Sequence, residues 1–151
     1  MKKPLPRSED LLRAVAEALT PKRHPLLIAI DGPDDCGKSS LAAWLSWQLN
    51  VPAINLDLFL IDLDPPQWRT ADLESVVSAR IDRQLPLVVD SVFVLDVIER
   101  LGRTADFWIF VRGEPVGSSV TPHFEKYCAQ RLPLQNANFV IDGFGPTPVD
   151  D

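Results

Sequence analysis

The chain has no long apolar run, few cysteines and no excess of basic charge, and each shortage narrows what it can be. No stretch of its 151 residues approaches the twenty or so apolar positions that a membrane-crossing helix needs. The opening MKKPLPRSED has two lysines but no apolar segment behind them, so a secretory signal is not expected. Cys36 and Cys128 stand far apart in no paired spacing, which leaves no disulfide framework or zinc site and fits a reducing cytoplasm. With 15 Lys and Arg against 21 Asp and Glu, the net charge of −6 argues against broad nucleic-acid binding, which relies on basic side chains displacing counterions. Any phosphate bound here must be held locally. Repeats and low-complexity tracts are missing too, and the 14 prolines are scattered as punctuation between elements.

What remains is an ordinary globular composition, 46% hydrophobic and 24% charged, long enough for one domain over residues 1–151 to bury its own core. Ser8, Glu9 and Asp10 offer a cap and first-turn acids ahead of Leu11, Leu12, Val15, Ala18 and Leu19, the spacing of one helix face. Continuously apolar runs at Leu26–Ile30, Val51–Leu56, Leu87–Val94, Phe107–Val111 and Asn138–Ile141 read as five strands. Helical patterns lie between them at Lys38–Leu49, Ala71–Leu85, Asp96–Leu101 and Phe124–Arg131. Strands without polar alternation, separated by helices, imply a mainly parallel five-stranded sheet covered on both faces. The expected class is α/β, a three-layer α/β/α sandwich.

In such sheets ligands gather where strands end and helices begin. The stretch LLIAIDGPDDCGKSSLAAWL has that context, and within it Gly32, Gly37, Lys38 and Ser39 satisfy G-x-x-x-x-G-K-[ST]. By residue frequency the pattern arises by chance in about one chain of this length in a few hundred, before the strand and helix are required. The loop Gly32, Pro33, Asp34, Asp35, Cys36, Gly37, Lys38, Ser39 and Ser40 would cradle phosphate with backbone amides and the positive end of the following helix. Lys38 would reach the β- and γ-phosphates of ATP or GTP, and the Ser39 hydroxyl would bind Mg2+. The bland alternative is a strand-to-helix turn with a surface lysine. Asp34 and Asp35 set like charge inside the loop unless they point outward or help hold the metal.

Over most of residues 8 to 142 the chain resembles the small-molecule kinases of the uridine kinase kind within the P-loop nucleoside triphosphate hydrolase superfamily. A leading helix, IAIDGPDDCGKSSLA, an Asp-x-Phe within INLDLFL, an acid closing LPLVVD and a late FVID follow in that family's order. The resemblance implies that Asp57, followed by Phe59, is the base or orienter for an acceptor hydroxyl, and that Asp90 supports Mg2+ through water. An Asp in a loop, or one ending a strand, otherwise reads as a cap or a polar terminus.

The resemblance breaks at the lid, after about residue 111. Relatives carry an arginine-rich lid there, whereas VRGEPVGSSVTPHFEKY offers only Arg112, so the lid is expected to be short or missing. Arg112 could stand in for the lid arginines, with Arg131 and Arg103 behind it. Asp35 also departs, standing where similar loops often have a glycine. Trp44 and Trp47 read as helix packing, Trp68 as either core or the wall of an acceptor pocket, His24 and His123 as surface residues, and Cys36 as loop filler. The tail DGFGPTPVDD reads either as packing near a nucleotide base or as a frayed end.

Three functions stay open: an ATP-dependent kinase phosphorylating a hydroxyl of a small molecule, for which the resemblance suggests a nucleoside-like acceptor; a weak or inactive nucleotide-binding module; and a non-kinase NTPase. A small-molecule acceptor is the expected partner, with neither nucleic acid nor membrane.

Overall fold

The computed structural model describes residues 5–19, 27–114 and 121–144. Five strands form one sheet, β1 (Leu27–Asp31), β2 (Ala53–Asn55), β5 (Leu87–Asp90), β6 (Phe107–Arg112) and β7 (Phe139–Asp142), in the order β2-β5-β1-β6-β7. Every pairing in it is parallel. A separate antiparallel hairpin, β3 (Leu60–Leu63) and β4 (Pro66–Trp68), stands apart from that sheet. The polar, proline-rich segment after Asp57 is therefore a hairpin, not the open loop its composition suggests.

Alternation along the central strands sends side chains to two cores. Ile28 and Ile30 of β1, with Val88 and Ile109, face α1 (Ser8–Ala18) and α2 (Lys38–Leu49). Leu27 and Ala29, with Leu87, Val89 and Phe110, face α3 (Thr70–Ile81), α4 (Val94–Arg100) and α5 (Thr121–Arg131). A strand buried on both sides needs apolar residues at every position, which is why the runs show no polar alternation. A final short helix, α6 (Pro133–Asn136), leads into β7.

Several expected boundaries move for local reasons. Ser8 is the first helical residue and donates to the Leu5 carbonyl, while Arg7 in the left-handed region occupies the cap position. The run Leu87–Val94 is strand only to Asp90; Val94 already belongs to α4, whose apolar start extends the run without extending the strand. In α2 the buried positions are Lys38, Leu41, Ala42 and Leu45, one helical face. Trp47 falls on the opposite face at 79% exposure, so it does not pack as expected, whereas Trp44 rests against the core.

Candidate functional site

The sheet order creates a crevice at one place. From β1 the chain leaves into α2 on one face, and from the adjacent β5 it leaves into α4 on the other. Connections departing in opposite directions open a gap at the carboxyl ends of the two strands. The loop from Gly32 to Ser39 rims this gap from one side, and Asp90, the last residue of β5, rims it from the other.

The loop is tightly built. Gly32 has φ 147°, and a Cβ there would stand 2.3 Å from the Val111 carbonyl oxygen. Gly37 at φ 100° turns the chain into α2. Asp35 sits in the left-handed region at φ 56°, the backbone conformation for which similar loops carry glycine. Its side chain is exposed and that of Asp34 half-buried. The buried Cys36 donates from Sγ to the Pro33 carbonyl, 2.9 Å away, and burial pushes its thiol up, which suits a packing role. The buried Lys38 reaches back across the loop to donate to that same carbonyl. Burial raises the pKa values of Asp31, Cys36 and Asp90, and the Lys38 charge opposes the rise in each.

Across the crevice, Ser39 Oγ donates to Asp90 Oδ2 at 2.8 Å and accepts from Asn55 Nδ2 at 3.2 Å. Burial, and after it the nearby Asp57, raise the Asp90 pKa, while the Ser39 bond and Lys38 oppose them. Asp57 lies in a 3₁₀ turn, Leu56–Phe59, directly after β2. Its Oδ1 accepts from Ser91 Oγ at 2.7 Å, and its amide donates to Asn55 Oδ1 at 2.8 Å. The fold thus gathers Lys38, Ser39, Asp57 and Asp90, four residues drawn from α2, the turn after β2 and β5. Ser40 is exposed on the first turn of α2 beside them. No sequence pattern marks Ser91; Asn55, two residues before Asp57, has the spacing of an Asx turn.

Beneath the loop lies a group that composition does not reveal. Asp31 is wholly buried; its Oδ1 accepts from the Gly32 amide at 2.8 Å and its Oδ2 from the Tyr127 hydroxyl at 2.7 Å. Burial lifts its pKa from 3.8 to about 7, against the lowering effect of those bonds and of Lys38.

The arginines divide. Arg112 ends β6 and bonds Asp142 Oδ1 through Nε at 2.7 Å and Nη2 at 2.6 Å, with both side chains more than half exposed. Arg131 is tied to Asp96 and Glu99 on α4. Arg103 precedes β6, at the amino edge of the sheet, and bonds Ser78 and Asp82. Being at the wrong end of the strands, it cannot serve the crevice. The connection from β6 to α5 spans residues 113–120, of which 115–120, the bulk of the expected short lid, lie outside the described residues, as do His24 and the tail beyond Phe144. His123 is not an isolated surface residue: Nε2 pairs with Asp64 Oδ1 at 2.9 Å. Among the described residues no helix is long and apolar enough to cross a membrane.

No family model and no curated protein matches the chain. Solved structures do resemble it. A possible uridine kinase from Bacillus stearothermophilus superposes with a TM-score of 0.64 and 15% identity, covering 90% of this chain and 97% of that one. A putative fructose transport system kinase from Silicibacter sp. TM1040 gives a TM-score of 0.52 and 17% identity over 87% of this chain and 84% of the other. Likeness at such identities establishes a shared α/β fold.

Proposed function

We propose that the protein is a phosphotransferase that moves the γ-phosphoryl group of ATP or GTP to a hydroxyl of a small molecule. The observation that carries this reading is the meeting of Ser39 with Asp90 across the crevice, with Asp57 docked on Ser91 beside them. A plain turn has no need of a buried lysine, a hydroxyl and two carboxylates at one strand switch. The fold shared with a possible uridine kinase and a putative fructose transport system kinase supports it as well.

Each residue has a role under this reading. Loop amides and the start of α2 hold phosphate oxygens, and Lys38 exchanges the Pro33 carbonyl for a phosphate oxygen. Ser39 and Asp90 are hard oxygen donors, which suits Mg2+. Among the described residues no three His, Cys, Asp or Glu side chains converge on a metal site, so phosphate and water would complete the ion's shell. Once bound, Mg2+ would neutralise charge on the transferred group. Ser91 fixes one oxygen of Asp57, and its Oδ2 has no hydrogen-bond partner among the described residues. That oxygen accepts the proton of the acceptor hydroxyl as the new O–P bond forms and the nucleoside diphosphate leaves. Arg112 supplies positive charge near the transfer. An exposed ion pair like Arg112–Asp142 is worth about 0–1 kcal/mol, so releasing it costs little.

That same pair, together with Asp35 in the loop, favours a second reading, a nucleotide-binding module without transfer. Incubation with Mg·ATP and a panel of hydroxylated small molecules separates the two. Acceptor-dependent ADP release that Asp57→Asn abolishes, with ATP affinity kept, is the expected result. Full activity in that variant would remove Asp57 from its role, binding without turnover would leave the module, and acceptor-independent release would make the protein an NTPase.

A further inference from the structure

Between α4, α5 and the β3–β4 hairpin is a cavity of about 190 Å³. Its apolar walls are Trp68, Phe93 and Tyr127, whose rings pack edge to face, Trp68 on Phe93 at 6.1 Å and Phe93 on Tyr127 at 5.7 Å. Its polar lining is mostly donors. Arg100 stacks its guanidinium 5.4 Å from the centre of the Trp68 ring, and Lys126 stands on the facing helix. Neither forms an ion pair among the described residues. Trp68 is more than nine-tenths buried, and its indole N–H has no acceptor among the described residues.

The acids nearby are already matched. Asp96 accepts from Arg131 Nε at 3.0 Å and Nη2 at 2.6 Å, and Asp64 pairs with His123, which ties the hairpin to α5. Two cations without an ion-pair partner among the described residues, Arg100 and Lys126, therefore line an aromatic pocket in a chain whose net charge is −6. Such a pocket suits an occupant that accepts hydrogen bonds, bears negative charge and has a flat or apolar body. Its volume lies below the roughly 300–1,000 Å³ of pockets for drug-sized ligands, so the occupant is compact.

Chain connectivity joins this cavity to the crevice. Phe93 follows Ser91, the residue that holds Asp57, by two positions. Trp68 is the register partner of Leu60, three residues after Asp57. Tyr127 donates to Asp31, the residue before Gly32. Each wall is set by a segment that also sets the site.

We infer that this cavity receives the phosphoryl acceptor and that the acceptor is a compact acid, bearing a carboxylate or phosphate, held by Arg100 and Lys126 over the Trp68 and Phe93 rings. The inference rests on the phosphotransferase reading and replaces a neutral nucleoside with an acid as the substrate class.

The test follows the indole N–H resonance of Trp68, identified by its loss in Trp68→Phe, in the nucleotide-free protein. Benzoate and phenyl phosphate serve as carboxylate and phosphate probes, and benzyl alcohol as the neutral control. The acids should shift that resonance saturably and the alcohol should not, the stronger of the two acids naming the anion. Arg100→Gln and Lys126→Gln, both at exposed positions, should each weaken acid binding about tenfold and leave the melting temperature in place. Equal response to the alcohol, unchanged acid affinity in both variants, or no response to any probe would overturn the assignment. A parallel assay with Mg·ATP and short hydroxy acids tests the acceptor role itself. ADP release that depends on the acid and on Arg100 supports it; acid binding without such release overturns the phosphotransferase reading and leaves an acid-binding cavity.

Discussion

Replacing Asp31 with asparagine should remove a pH-dependent weakness from the fold. The carboxyl is wholly buried, and its pKa stands near 7 instead of 3.8, chiefly because burial penalises the charged form. Between those two values the folded chain keeps a proton that the unfolded chain gives up. Stability is therefore complete below about pH 4, where both states are protonated, and falls as pH rises to about 7. At roughly 1.4 kcal/mol for each tenfold change in proton affinity, the shift from 3.8 to about 7 is worth about 4 kcal/mol. Small domains have only about 5–15 kcal/mol in all, so the effect is large.

Asparagine has nearly the same shape and no proton to exchange. It keeps one oxygen for the Gly32 amide and gives up an acceptor for Tyr127, a cost that does not vary with pH. Urea unfolding of both proteins from about pH 4 to about pH 8 isolates the effect, because every other carboxyl contributes to both curves and cancels. Asp90, also raised by burial, is among those that cancel. The stability difference should move by about 4 kcal/mol in favour of the variant across that range, most of it below pH 7. Parallel curves would refute the argument, since they would mean that Asp31 titrates alike in the folded and unfolded chains.

Three further outcomes follow from the same geometry. Tyr127→Phe should cost about 1–3 kcal/mol in urea unfolding, because it leaves the Leu95 amide and an Asp31 oxygen without their partner; it should also push the pH-dependent loss to higher pH. No change in stability would mean that water replaces the hydroxyl. Gly143→Ala would place a Cβ 2.4 Å from the Cys36 carbonyl oxygen and 3.1 Å from that of Arg112, both backbone atoms. A lowered melting temperature, about 1–3 kcal/mol in stability, is expected, and an unaltered melt would show that the loop yields freely. Lys38→Ala should weaken ATP binding at least about tenfold, measured by calorimetry; unchanged affinity would reduce the loop to a turn.

What could be read from the sequence was what depends on neighbours in the chain. The α2 boundaries, Lys38 to Leu49, match the expectation because a glycine turn and a buried face at positions 38, 41, 42 and 45 are both local signals. The central strands show as apolar runs because both of their faces are covered. The hairpin escaped because its strands are four and three residues long, too short for any period to show, and Pro65 and Pro66 at the turn read as a loop. Tyr127 with Asp31, and His123 with Asp64, are 96 and 59 residues apart, and nothing in either segment points to the other. Asp31 reads as the polar end of a strand until the fold lays α5 over it.

The far side of the loop shows how the last strand pair, β6 and β7, bears on the loop's shape. The Val111 carbonyl fills the space that a side chain at residue 32 would take, and the Cys36 carbonyl accepts from the Phe144 amide at 3.1 Å. The Phe144 ring fills the space beside Gly37, 2.7 Å from where a Cβ would stand. Gly143 in turn donates to the Arg112 carbonyl at 2.7 Å, which locks this support to β6. Backbone from β6 and the end of β7 thus holds the loop from behind, while Lys38 spans it and Asp31 holds its first amide from below. Under the proposed function, a loop fixed on so many sides would lose little conformational freedom on taking up phosphate, and that entropy saved would add to affinity. Substitutions at residues 143 and 144 would then act on phosphate binding without touching phosphate, through the shape of the loop alone.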